Sequence, residues 1–279
     1  MPERADLTDD AILDGRLRLL QPRRGHRFGH DAILLAAAVP AGDDDHAVDL
    51  GAGVGAAGLA LLARVPKARV TLIELEPALA ALAQENIVRN AFAGRAKALA
   101  FDAGATARAF TAAGLPAGCA DHVLMNPPFN DSAHQPSPDA SRRRAHVAGE
   151  KLLATWLSAA ARLLRPGGSV TMIWRAQALQ AVLVEISARF GGVSVLPIHG
   201  KPDQPAIRVI LSGRSGSRGE LTILPGLTLN DSNNRPTAEA EAILRQGRAL
   251  PGVKPIASPS HSAGRPIRAK RPRSSRAAE

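Results

Sequence analysis

The stretch "VDLGAGVG", Val48 to Gly55, sets three glycines at alternate positions directly after a short apolar run and at the mouth of a helix-like segment. Glycine at such a corner lets the backbone turn tightly and lets a ligand approach it closely. The spacing Asp49-x-Gly51-x-Gly53-x-Gly55 departs from the dinucleotide fingerprint, whose third glycine comes one residue later. It also lacks the Lys-Ser/Thr pair of a phosphate-binding P-loop. Taken alone, the stretch is either a ligand cradle or a purely structural strand-to-helix corner.

Working outward from the loop, strand-like and helix-like segments alternate between His46 and Leu211. Ala47–Leu50 reads as a strand, Gly55–Val65 as a helix, Arg69–Leu75 as a strand, and Pro77–Phe92 as a helix with proline in its first turn. Ala96–Phe101 and Asp121–Met125 follow as strands. Glu150–Leu164 is a helix closed by Arg165-Pro166-Gly167-Gly168. Then come a strand at Ser169–Trp174, a helix at Ala176–Phe190, and a strand pair at Gly192–Ile198 and Ala206–Leu211. This order predicts an α/β fold with a doubly wound, mostly parallel sheet and ligands at the carboxyl ends of its strands. Leu221–Leu229 is expected to form a small hairpin around Pro225-Gly226, and Thr237–Arg248 a closing helix. The expected organisation is an N-terminal segment over residues 1–45, the α/β domain over 46–250, and a tail over 251–279.

Composition narrows the class. No apolar run reaches the roughly 18 residues needed to span a bilayer. The first residues carry Glu3, Asp6, Asp9, Asp10 and Asp14, unlike a secretory or transit peptide. Cys119 is the single cysteine, which excludes an internal disulfide and a cysteine-rich zinc site. His134 and His146 have no accompanying ligand pattern, so no metal is expected. These features point to a cytoplasmic protein, expected to be a monomer. The formal net charge is +10, and the Pro/Ser/Ala/Gly-rich tail holds seven basic residues against one acid. That tail reads as disordered, and serves either a polyanionic partner or solubility.

Two carboxylates downstream of the glycine loop favour the ligand cradle. Glu74 ends the second strand, where a carboxylate can accept hydrogen bonds from both hydroxyls of a ribose. Asp102 ends the third strand, within reach of an adenine amino group. Together with the loop they resemble the class I S-adenosylmethionine-dependent methyltransferases, whose fold is a seven-stranded Rossmann-like sheet. Glu76, just before Pro77, reads instead as a helix-start charge.

The fourth strand then stops abruptly at Asn126-Pro127-Pro128-Phe129, where two prolines forbid further ladder pairing. This resembles the amino-methyltransferase signature and implies methylation of an exocyclic or amide nitrogen. The Asn126 side-chain oxygen and the Pro127 carbonyl each accept one N–H of such an amino group, freeing its delocalised lone pair. The prolines, Pro128 included, hold these acceptors rigid, and Phe129 offers a flat face to an extruded base.

The segment "GRLRLLQPRRGHRFGHDAILLAAAVP", Gly15 to Pro40, resembles the N-terminal part of the tRNA(Val) adenine N6-methyltransferase family. The resemblance implies a short hairpin, a turn carrying Phe28, His30 and Asp31 that packs on the cofactor's methionine end, and then a helix. His26 stands where that family more often has Tyr. The resemblance extends to "LPGLTLN" and "PTAEAEAILR" near the C-terminus, and implies S-adenosylmethionine as cofactor and RNA, in particular tRNA, as partner. Arg142-Arg143-Arg144 with His146, and Arg23, Arg24 and Arg27, either grip phosphates or form solvated charged faces. Other amino nitrogens, on rRNA guanine or protein glutamine, and a non-catalytic RNA-binding role remain as alternatives.

Overall fold

Branched and apolar runs buried almost without interruption build one central sheet, because helices with apolar faces cover both of its sides. A computed structural model describes residues 6–25, 27–127 and 139–254, apart from the side chains of residues 139–150. Residues 255–279 of the expected basic tail, His26, His134, Pro128 and Phe129 therefore lie outside the described residues.

A hairpin comes first: β1 (Leu7–Ile12) pairs antiparallel with β2 (Leu17–Pro22), and α1 (His30–Ala38) follows. The sheet then grows from β3 (His46–Leu50), α2 (Ala56–Arg64), β4 (Arg69–Glu74), α3 (Pro77–Arg89), β5 (Ala96–Ala100), α4 (Ala107–Ala112) and β6 (Ala120–Met125). The chain continues through α5 (Asp139–Leu163), β7 (Leu164–Arg175), α6 (Leu179–Ser187), β8 (Gly191–His199) and β9 (Ala206–Arg214). The strand order is β8-β9-β7-β6-β3-β4-β5, with β9 the one antiparallel member of these seven. The expected α/β fold, with its mostly parallel central sheet and N-terminal hairpin, is the observed one, but two short further strands bring the expected seven to nine.

Alternation sorts the core into two layers. Ala47, Val70, Leu72, Leu124 and Ile173 face α1, α2 and α3. Val48, Leu50, Ile73, Met125 and Met172 face α5 and α6, with Phe110 of α4 in the same layer. At the amino end of the sheet the polar groups are paired off. Buried His122 bridges Ser169 Oγ at 2.8 Å and Asp45 Oδ2 at 3.0 Å, and Asp45 also accepts the Gly42 N–H. Asp121 is bound by Arg165 and accepts the His46 N–H. Each of these groups has its partner within the fold, which makes this edge a structural pin.

Three local expectations need adjustment. The Leu221–Leu229 hairpin does not form. β10 (Thr222–Ile223) and β11 (Leu227–Thr228) both pair parallel with β8, Thr222 with Ser194 and Leu227 with Ile198. A two-residue hairpin turn needs positive φ at its first central residue, which the Pro225 ring forbids, so the chain does not reverse. Second, Arg165-Pro166-Gly167-Gly168 does more than close a helix: it bulges within β7, between the pairings Ala120–Leu164 and His122–Ser169. Third, α4 has no counterpart in the sequence reading. The expected closing helix is α7 (Ala238–Leu244), capped by the Thr237 hydroxyl.

Close approach of α2 to the sheet sets the geometry of the glycine loop above it. A Cβ on Gly58 would lie 2.4 Å from Leu72 Cδ2, 3.0 Å from Val70 Cγ1 and 3.2 Å from Asp49 Oδ2. In an open helix, Gly→Ala stabilises by about 1 kcal/mol. Here overpacking reverses the sign, and Gly58→Ala is expected to cost about 1–3 kcal/mol in urea unfolding. A stabilised variant would contradict this packing.

Candidate active site

The site lies at the carboxyl ends of β4, β3 and β6, where the chain leaves each strand. Gly51, with φ of +71°, turns out of β3, and its N–H and that of Ala52 both donate to the Ile73 carbonyl, at 2.8 and 2.9 Å. A Cβ on Gly51 would lie 2.2 Å from the ring of Trp156 on α5, so packing and backbone both demand glycine. Gly53, with φ of +57°, has nothing within 4 Å of such a Cβ. Its bare backbone faces open space, as a surface for close ligand approach would.

Glu74 holds this loop in place. Its Oε2 accepts the Gly53 N–H at 2.8 Å and its Oε1 accepts the Glu76 N–H at 2.9 Å. Each carboxylate oxygen retains further lone-pair capacity for incoming hydroxyls. Asp102 is exposed two residues beyond β5, its Oδ1 oriented by the Gly104 N–H at 2.7 Å. Between Glu74 and Glu76 in the chain stands Leu75, 67% exposed just past the end of β4. A large aliphatic side chain bared between two acids was missed in the sequence reading, which counted it as the last residue of a strand. Glu76 is the N-cap residue of α3, although its side chain makes no capping hydrogen bond.

Asp49 does not open onto this face. It is buried under the loop, and its Oδ2 accepts the Gly58 N–H at 2.9 Å. Burial, with a smaller push from the Glu74 carboxylate, raises its pKa to about 7.

The turn before α1 reaches the same edge from the β6–β7 side, since α1 packs on both strands. The Phe28 N–H donates to Gln21 Oε1 at 3.1 Å, and its half-buried ring packs near Val54 of the glycine loop. His30 is exposed at the start of α1. The Asp31 carboxylate is engaged by Arg208 Nε of β9 at 2.8 Å, an ion pair that the sequence reading did not anticipate.

Asn126 follows β6 directly. Its Oδ1 is buried and has no hydrogen-bond partner among the described residues. A buried acceptor without a donor is costly, and such groups persist where a ligand satisfies them. Pro127, next in the chain, is buried. Arg142–Arg144 and His146 fall in the part of α5 whose side chains are not described. No group of three or more His, Cys, Asp or Glu able to hold a metal occurs among the described residues. No described helix is long and apolar enough to cross a membrane.

A glycine corner after the first sheet strand, acids ending the next two, and this strand order define a class I methyltransferase. The chain belongs to the methyltransferase small domain family, whose model matches residues 27–201. It is an enzyme that takes S-adenosylmethionine as its methyl donor. A tRNA1(Val) (adenine(37)-N6)-methyltransferase of Porphyromonas gingivalis is 30% identical over 63% of this chain and 71% of its own length. One from Pedobacter heparinus is 27% identical over 72% of this chain and 84% of its own. A ribosomal RNA large subunit methyltransferase G of Streptomyces avermitilis is 33% identical over 46% of this chain and 28% of its own. Among solved structures, protein Atu636 of Agrobacterium tumefaciens, described as a predicted O-methyltransferase, superposes with a TM-score of 0.67. It is 31% identical and covers 79% of this chain and 97% of its own.

The raised pKa of Asp49 has a consequence for stability. The folded protein holds this proton more tightly than the unfolded chain. The resulting stabilisation is fully present below the ordinary carboxylate range and is lost as pH rises towards about 7. Asp49→Asn keeps an oxygen for the Gly58 N–H and carries no charge. Urea unfolding should therefore show a smaller loss of stability between about pH 4 and pH 7 in the variant than in the parent. Equal pH slopes would contradict the assignment.

Proposed function

We propose that the protein methylates the exocyclic N6 of an unpaired adenine in RNA, in a tRNA anticodon loop. The observation that carries this reading is the buried Oδ1 of Asn126 at the end of β6, which has no hydrogen-bond partner among the described residues. In this reading Asn126 Oδ1 accepts one amino N–H of the base and the Pro127 carbonyl accepts the other. Both acceptors draw the nitrogen out of conjugation and stabilise the positive charge that grows on it. They are hydrogen-bond acceptors with no capacity as bases, which suits an amine and not a hydroxyl that must surrender its proton. That argument favours nitrogen over the oxygen acceptor in the description of the Agrobacterium protein.

The residues on the other side of the loop fit the methyl donor. Glu74 would take its ribose hydroxyls, Asp102 its adenine amino group, Leu75 would cover an apolar ring face, and bare Gly53 would admit close contact. The Phe28–His30 turn would border its methionine end. Asp31 and Asp49 would act at one remove, Asp31 by fixing Arg208 and Asp49 by fixing α2 beneath the loop. Once bound, S-adenosylmethionine brings an already activated methyl group, so the protein needs to supply only position and electrostatics.

The choice of RNA rests on the relatives named as tRNA adenine methyltransferases and on the basic charge of the chain. Arg175 and Arg208 are register partners on β7 and β9 at this edge, and Arg23 and Arg24 are exposed in the turn that leads to α1. They would meet phosphates around an extruded base, with the salt dependence such contacts carry. A loop adenine is cheaper to extrude than a paired one.

Single-turnover methylation of unmodified tRNA tests the proposal. Asn126→Ala should slow the chemical step about a hundredfold or more while leaving S-adenosylmethionine affinity unchanged. Glu74→Ala should instead weaken cofactor binding by roughly one to two orders of magnitude, as expected for lost charge-assisted hydrogen bonds. Full activity in the Asn126 variant overturns the acceptor assignment, and unchanged cofactor affinity in the Glu74 variant overturns the donor site.

A further inference from the structure

We propose that Asn86 is a positioning residue that ties the N-terminal hairpin to the glycine loop, which makes the hairpin a working part of the cofactor site. One edge of β2 pairs with β1; at its other edge, Arg18 and Leu20 present their N–H and C=O groups to α3 instead of to another strand. The Leu20 N–H donates to Asn86 Oδ1 at 2.8 Å, and Asn86 Nδ2 donates to the Leu20 carbonyl at 3.0 Å. One turn further on, Asn90, the C-cap residue of α3, repeats the pattern with Arg18, at 2.9 Å in both directions. Residues four apart on a helix rise about 6 Å, close to the roughly 6.8 Å between alternate residues of a strand. Two side-chain amides therefore stand in for a third strand.

The two asparagines differ in where the second amide proton goes. Asn90 returns it to the Asn86 carbonyl of its own helix, at 2.8 Å. Asn86, fully buried, sends it to the carbonyl of Val54 at 3.0 Å, inside the glycine loop between Gly53 and Gly55. The Val54 side chain makes a second link: it is packed with Leu7 of β1 and Leu82 of α3, with Leu20 and Phe28 around them. Hairpin, helix and loop thus meet at one buried amide. Without it, a loop built on positive-φ glycines loses a restraint, and cofactor binding has to supply the lost order.

The test compares Asn86→Ala with Asn90→Ala in the full chain, using calorimetric titration of S-adenosylmethionine and amide hydrogen exchange of residues 53–55. Both variants lose hairpin ladder bonds, but only Asn86→Ala frees the Val54 carbonyl. Asn86→Ala should raise the cofactor Kd about tenfold and speed loop exchange by a similar factor, the scale of one lost buried hydrogen bond. Asn90→Ala should change both by less than about twofold while still lowering the melting temperature. Equal effects of the two variants on Kd and loop exchange overturn the proposal. If Asn86→Ala does not fold, Val54→Ala unplugs the loop and leaves both amide ladders intact. It should then raise the Kd several-fold, and unchanged affinity in that variant also overturns the proposal.

Discussion

The grip of β4 on the glycine loop is the constraint on which the rest of the site depends. The Ile73 carbonyl takes two successive N–H groups, from Gly51 and Ala52, and the next residue of the same strand, Glu74, takes the Gly53 N–H with its side chain. Three consecutive polar contacts fix a segment whose glycines would otherwise sample many conformations. Trp156 closes the space beside Gly51 from the other face of the sheet, and Asp49 anchors α2 beneath. Loop, acid and helix are therefore held in register before any ligand arrives, the condition under which positioning contributes to rate.

The two ends of the sheet are treated differently. At the amino end, Asp45, Asp121, His122 and Ser169 have each found a partner inside the fold. At the carboxyl end, polar capacity is kept back: Asn126 Oδ1 is buried without a partner among the described residues, Asp102 is exposed, and Gly53 is bare. Stability is concentrated where chemistry is absent, and the cost of unsatisfied groups is carried where a ligand can repay it.

Much of the fold was legible because its signals are local. Alternating apolar runs, glycines at strand exits and Pro77 at a helix start gave the element order, and the spacing of Gly51, Glu74, Asp102 and Asn126 placed them on adjacent strand ends. What escaped depends on contacts distant in sequence. Asp31 and Arg208 are 177 residues apart, and no pattern around either predicts their ion pair. Asn86 and Asn90 read as ordinary polar positions of a helix until β2 is laid against them. Leu75 was legible as a hydrophobic residue, but only the bend after Glu74 bares it. The six-residue α4 is too short for a helical period to stand out, and its one buried anchor is Phe110. Pro225-Gly226 resembles a turn in composition, yet the proline ring blocks the reversal a hairpin requires.

The central claim is that the end of β6 is built to take an amino group. Nucleoside mass spectrometry of tRNA incubated with the purified protein and isotopically labelled S-adenosylmethionine tests it most directly. The account predicts the label in N6-methyladenosine, within the anticodon loop. A label on a ring nitrogen, a carbon or a ribose oxygen would contradict it.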